Sequence, residues 1–208
     1  MTNRILPLAL LASAALAAAA CDGRGTTGPS TPLTQADAAA LNRAVFALGT
    51  RFANDVVPAG ARGNRTVLAN GFSTFSFSFD ATQPCAPSGS VALSGAISGA
   101  SDVAGQAAHV EMNVAVQHQG CTVQTDNGAA FKLTGDPKID VALAASAGPA
   151  GVTAFHAAEI GAFTWERGSG SSGRCAVDVT ADLVPGTQTV HLAGTFCGFA
   201  VDQTVSAR

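Results

Sequence analysis

The side chains able to do chemistry in this 208-residue chain are few: four histidines, fourteen carboxylates and five cysteines. His109 and Glu111 stand two apart, with Asn113 and Gln117 beyond them. On a strand such residues share one face. A histidine beside a carboxylate could serve as a base or hold a metal ion. A metal site takes three or more protein ligands, and spacing places no third one here. The face therefore reads as the wet side of a half-buried sheet, and no metal is expected. A nucleophile elbow would need Gly-x-Ser-x-Gly. The tract Gly168-Ser-Gly-Ser-Ser-Gly173 carries glycine at position 170 instead and reads as a flexible loop. Phosphate-binding and dinucleotide-binding glycine patterns are missing. The scattered acids define no glycosidase pair. No catalytic residue and no cofactor are assigned, and a non-enzymatic chain is expected.

Cysteine is the more informative residue. Cys85, Cys121, Cys175 and Cys197 form an even set without a Cys-x-x-Cys pair. In an exported chain an even set implies two disulfides, with three possible connectivities. Each neighbouring pair brackets two strand-like runs and a turn. Cys175 and Cys197 are each 11 residues from Gly186, and Cys85 and Cys121 are each 18 from Val103. That symmetry favours Cys85–Cys121 and Cys175–Cys197. Matching the apolar faces sets Val91 opposite Val116, Leu93 opposite Val114, Val177 opposite Phe196 and Leu183 opposite Val190. Both cysteine pairs then miss the ladder register by one residue. Either a β-bulge absorbs the difference or the cysteines lie just outside the ladder.

Phe72, Phe75, Phe77 and Phe79 are the most distinctive apolar feature. Packing into a core is the expected role. The alternative is that Phe75, Phe77 and Phe79 line a site for an apolar ligand.

Two kinds of element must position these groups. Thr34 is a good N-cap with Asp37 three residues on, and Leu41, Val45, Leu48 and Phe52 form one helical stripe. Gly49 weakens the last turn, and Pro58 is expected to stop the helix. Beyond residue 60 the period becomes two, through Phe75–Phe79, Val91–Ile97, Val110–Val116, Ile139–Leu143, Val177–Val179 and Val190–Leu192. Glycine- and proline-rich turns separate these runs, so the strands are antiparallel with one buried face. The segments Val91–Gly95, Phe131–Gly135 and Val190–Gly194 share the pattern apolar-x-Leu-x-Gly. They read as similar strands of one sheet. The fold expected is mainly β, an antiparallel meander, sandwich or half-barrel with one N-terminal helix packed on it and two disulfides.

Residues 1–20, MTNRILPLALLASAALAAAA, have the basic start, short apolar run and small final residues of an export signal. The segment Leu16-Ala17-Ala18-Ala19-Ala20-Cys21 resembles a bacterial lipobox. That resemblance implies cleavage before Cys21 and a diacylglyceryl group on its thiol, with further acylation holding the chain at a membrane. Residues 22–33, DGRGTTGPSTPL, read as a flexible tether. The domains expected are thus a signal peptide (1–20), a lipidated cysteine and tether (21–33), and a helix plus β domain (34–208). The layout also resembles uncharacterised cysteine-paired β-domains of exported bacterial lipoproteins. The helix-then-meander order is similar to the half-barrel of bacterial lipoprotein carriers, which implies a carrier of a lipid or other apolar ligand as the alternative function.

The charge balance narrows the partners. Without residues 1–20, which carry Arg4 and no acid, the formal charge passes from −3 to −4. A chain this acidic and without a basic cluster is not expected to bind nucleic acid. The sequence leads to a cell-envelope lipoprotein, membrane-bound through its lipid, with a structural or interaction role.

Overall fold

The computed structural model describes the backbone of residues 33–60, 62–67, 72–102, 105–187 and 189–206. The signal segment, Cys21, nearly all of the tether, Val103 and the side chains of Phe52 and Phe72 lie outside the described residues.

The helix α1 runs Gln35–Gly60. Its start follows the sequence: the Thr34 hydroxyl accepts from the Asp37 amide at 3.1 Å and donates to the Asp37 carboxylate at 2.8 Å. Its end does not, because the helix continues past Pro58 to Gly60. Of the apolar stripe, Leu41 is fully buried, with Val45 and Leu48 packed on the same core.

Nine strands follow: β1 (Arg62–Val67), β2 (Phe72–Pro84), β3 (Ser90–Asp102), β4 (Ala107–Gln124), β5 (Ala130–Gly148), β6 (Gly151–Arg167), β7 (Ser172–Leu183), β8 (Thr189–Phe196) and β9 (Phe199–Ser206). They form one antiparallel sheet in strict sequence order. No ladder joins β9 to β1 among the described residues, so the sheet is open. It is also curled. The helix touches β2, β4 and β8, yet in a flat sheet β2 and β8 would stand about 29 Å apart. Phe163 on β6 and Phe196 on β8 meet with ring centroids 6.0 Å apart across the intervening strand. Side chains two strands apart converge in this way on a concave face.

The concave face carries the core. Phe79, Val91, Leu93, Ile97, Phe131, Leu133, Phe163 and Trp165 belong to one buried cluster with Ala38 and Leu41 of the helix. The apolar-x-Leu-x-Gly repeat acquires a physical meaning here. Leu93, Leu133 and Leu192 are all buried on this face. The glycine two residues on then comes against neighbouring backbone. A Cβ at Gly95 would strike the Asn113 carbonyl, and one at Gly194 (φ +136°) the Asp178 carbonyl. The repeat therefore marks where the strands approach too closely for a side chain and the sheet can bend.

Both disulfides join the expected cysteines, Cys85 to Cys121 with Cα atoms 5.4 Å apart and Cys175 to Cys197 with Cα atoms 4.1 Å apart. Cys85 lies in the β2–β3 turn and Cys197 in the β8–β9 turn. Neither pair is a rung of a ladder: Cys175–Cys197 misses the β7–β8 register by one residue and Cys85–Cys121 misses the β3–β4 register by three. The β7–β8 register is as expected, with Val177 opposite Phe196 and Leu183 opposite Val190. The β3–β4 register differs by two: Leu93 faces Val116 and Val91 faces His118. A two-residue slip keeps the same face inward, so the apolar pattern could not detect it.

Candidate functional site

The two faces of the sheet hold different chemistry. On the concave side Phe79 is buried, while Phe75 and Phe77 are half-buried and stack with centroids 5.5 Å apart. Phe75 lies against Gly99 opposite it on β3, an aromatic ring covering the space a missing side chain leaves. His118 sits on the same side, 2% exposed, its ring 5.8 Å from Phe163. Its Nδ1 has no hydrogen-bond partner. Burial away from water pulls its pKa down to about 4, so the ring is neutral at physiological pH. Glu159 also points inward from β6, between Val141 and Val179 on the flanking strands. Burial raises its pKa.

At one end of the sheet a polar clasp holds the helix. Arg167, the last residue of β6, pairs with Asp37 at 2.8 Å and lays its guanidinium 4.7 Å from the Phe131 ring centroid. The Arg167 hydrogen bond is the main reason the Asp37 carboxyl stays below its usual pKa. Nearly two turns along the helix, Arg43 pairs with Asp126 in the β4–β5 turn at 2.7 Å. The adjacent Asn127 amide donates to Asp37 at 3.4 Å.

The convex face collects the other three histidines, each against a carboxylate. His109 lies 3.3 Å from Glu111 and 3.0 Å from the Ser146 hydroxyl. This is the pair expected from sequence, and it is exposed. His156 Nδ1 donates to Asp182 at 2.7 Å, and His191 Nε2 to Asp202 at 2.8 Å. Cross-strand register brings His156 on β6, Asp182 on β7 and His191 on β8 into one row. Sequence reasoning missed this row, because its members lie far apart along the chain and β6 was not recognised as a strand. Among the described residues, no group of three or more His, Cys, Asp or Glu side chains is placed to hold a metal ion. A shallow groove of about 450 Å³ also opens on this face, floored by Ala115, Asp140, Ala142, Ala158 and Ile160 among others. Ile160 is 58% exposed there. The Gly168–Ser171 segment is a tight turn closed by the Arg167 amide on the Ser171 carbonyl at 2.7 Å.

Comparison with protein-family models, with curated proteins and with solved structures found no match for this chain.

Proposed function

We propose that the chain is an exported cell-envelope lipoprotein, anchored through acyl groups on Cys21, whose β domain does non-enzymatic structural or interaction work. The observation that carries this reading is the pair of disulfides, bonds that form and persist in oxidising, extracytoplasmic compartments. Among the described residues no helix is long and apolar enough to cross a membrane. A lipid on Cys21 would supply the attachment. The packing of Phe79 into the core and the exposed ion pairs of the convex face support a structural role. The test is the intact mass of the protein expressed from its full-length gene in a bacterium. The expected product begins at Cys21 and carries diacylglyceryl and acyl groups. A product with an unmodified Cys21, or one beginning elsewhere, overturns the anchor.

One observation favours a second reading, a carrier of an apolar ligand between helix and sheet. Phe75 and Phe77 are only half-buried on the concave face, unlike Phe79. Native mass spectrometry separates the two readings. Co-purifying lipid supports the carrier, and a clean apo mass supports the structural role.

A further inference from the structure

We propose that Glu159 on the concave face is the recognition residue for an apolar ligand bearing one ammonium group, seated over the part of that face nearest Phe75 and Phe155. The inference rests on the carrier reading above and names a ligand class for it. The concave face is not filled evenly. Toward the clasped end, Phe131, Leu133, Phe163 and Trp165 are each at most 4% exposed, so the chain's own side chains close it. Beyond Glu159, Val110, Met112, Leu143, Ala145, Phe155 and Ala157 are only half-buried. Register sets them in two rows across β4, β5 and β6, Met112–Leu143–Ala157 and Val110–Ala145–Phe155. Alanine stands in both rows, where the closed end carries rings. The stacked Phe77 and Phe75 continue the two rows on β2.

Glu159 lies at the border of the closed and open parts. Its own row runs Val114–Val141–Glu159–Val179, so a carboxyl occupies a position flanked by valines. Among the described residues it makes no hydrogen bond or ion pair, and burial is the one influence on its titration, raising its pKa. A carboxyl withdrawn from water without a partner costs free energy, and packing alone supplies no reason to place one here. It is half-buried, so it stays within reach of the open part. Sites for small molecules are mostly apolar, with a few placed polar groups that fix orientation. An ammonium beside Glu159 would favour its charged form and make a charge-assisted pair, while an apolar body covered the half-buried rows. An acid head would set like charge against Glu159, and an alcohol would offer only a neutral hydrogen bond.

The test is calorimetric titration of the full chain with dodecylamine, dodecanol and dodecanoate, each below its micelle concentration. Dodecylamine is expected to bind saturably and at least about tenfold more tightly than the other two, the weight of one hydrogen bond to a charged group. Glu159→Gln should weaken dodecylamine by about the same factor and leave dodecanol unchanged. Glu166→Gln removes the same charge from the same strand, at an exposed position paired with Lys132, and should leave both unchanged. Circular dichroism should show both variants folded. Equal affinity for the amine and the alcohol, tighter binding of dodecanoate, undiminished amine binding in Glu159→Gln or an equal loss in Glu166→Gln would each overturn the role of Glu159 while the carrier reading stood. Absence of saturable binding by all three compounds would overturn both.

Discussion

One buried histidine links the stability of this domain to acid. His118 is enclosed by Val91, Phe163 and the β4 irregularity beside Cys121, and its pKa falls from 6.5 to about 4. The unfolded chain takes up a proton on this ring near pH 6.5, whereas the folded chain does so only near pH 4. Stability is thus undiminished above pH 6.5 and drains away as pH falls toward 4, by roughly 3 kcal/mol at one pKa unit per about 1.4 kcal/mol. Glu159 works in the opposite sense, since its raised pKa relieves a burial cost on acidification. The His118 contribution is therefore read as a difference. Urea unfolding at pH 7.5 and pH 4.5 should show a steeper acid loss for the unaltered chain than for His118→Leu. Equal pH slopes would show that His118 does not carry the effect. The strand period separates His118 from the other three histidines: it continues the inward beat of Val110, Met112, Val114 and Val116 and is buried opposite Val91 on an unbroken β3–β4 ladder. The alternation shifts only beyond it, between His118 and Cys121, where the β4–β5 ladder is irregular.

At the scale of elements, the helix is held by chemistry at one end and by apolar packing along its length. The clasp of Asp37, Arg167, Asn127, Arg43 and Asp126 joins the first turns of α1 to two turns of the sheet. Asp37 serves twice, as the capping-box acid and as the partner of Arg167. Asp37→Ala should destabilise the domain by about 1–2 kcal/mol, combining a lost cap contact with a half-buried ion pair. Arg43→Ala breaks an exposed pair and should cost less than about 1 kcal/mol. Chemical denaturation of both variants checks the order, and a larger loss from Arg43→Ala would contradict it. The cap and the Leu41–Leu48 stripe were legible because they are local, as were the strands with clean alternation. β6 was not legible. Its inward positions include Ala157, Glu159 and Gly161, and a carboxylate and a glycine interrupt the apolar beat. β1 reads RGNRTV, an edge strand with too little apolar pattern to announce itself. Pro58 misled as a stop, since α1 runs two residues beyond it. The histidine row was invisible for a different reason: register across three strands is a long-range property that no spacing along one strand contains.

For the whole molecule, the open meander explains the two disulfides. A sheet whose two edges do not pair gains no closure from its ladders, and each bridge ties a turn to a strand or turn beyond the adjacent rung. Each should stabilise the fold by about 2–4 kcal/mol. The paired variants Cys85→Ser/Cys121→Ser and Cys175→Ser/Cys197→Ser, compared by urea unfolding, should each lose stability on that scale. Non-reducing peptide mapping that joined Cys85 to Cys175 or Cys197 would contradict the arrangement. The same bridges point to export, and export is the link to the N-terminal segment. The described residues begin at Leu33, the last of the segment read as a tether, so a lipid on Cys21 would attach the domain through the segment that leads into its helix. The most direct measurement is membrane fractionation of the unaltered chain beside Cys21→Ser in a bacterial host. The account predicts that the unaltered chain sediments with membranes and resists a high-salt wash, while Cys21→Ser is lost from them. Retention of Cys21→Ser in the membrane fraction at the level of the unaltered chain would contradict it.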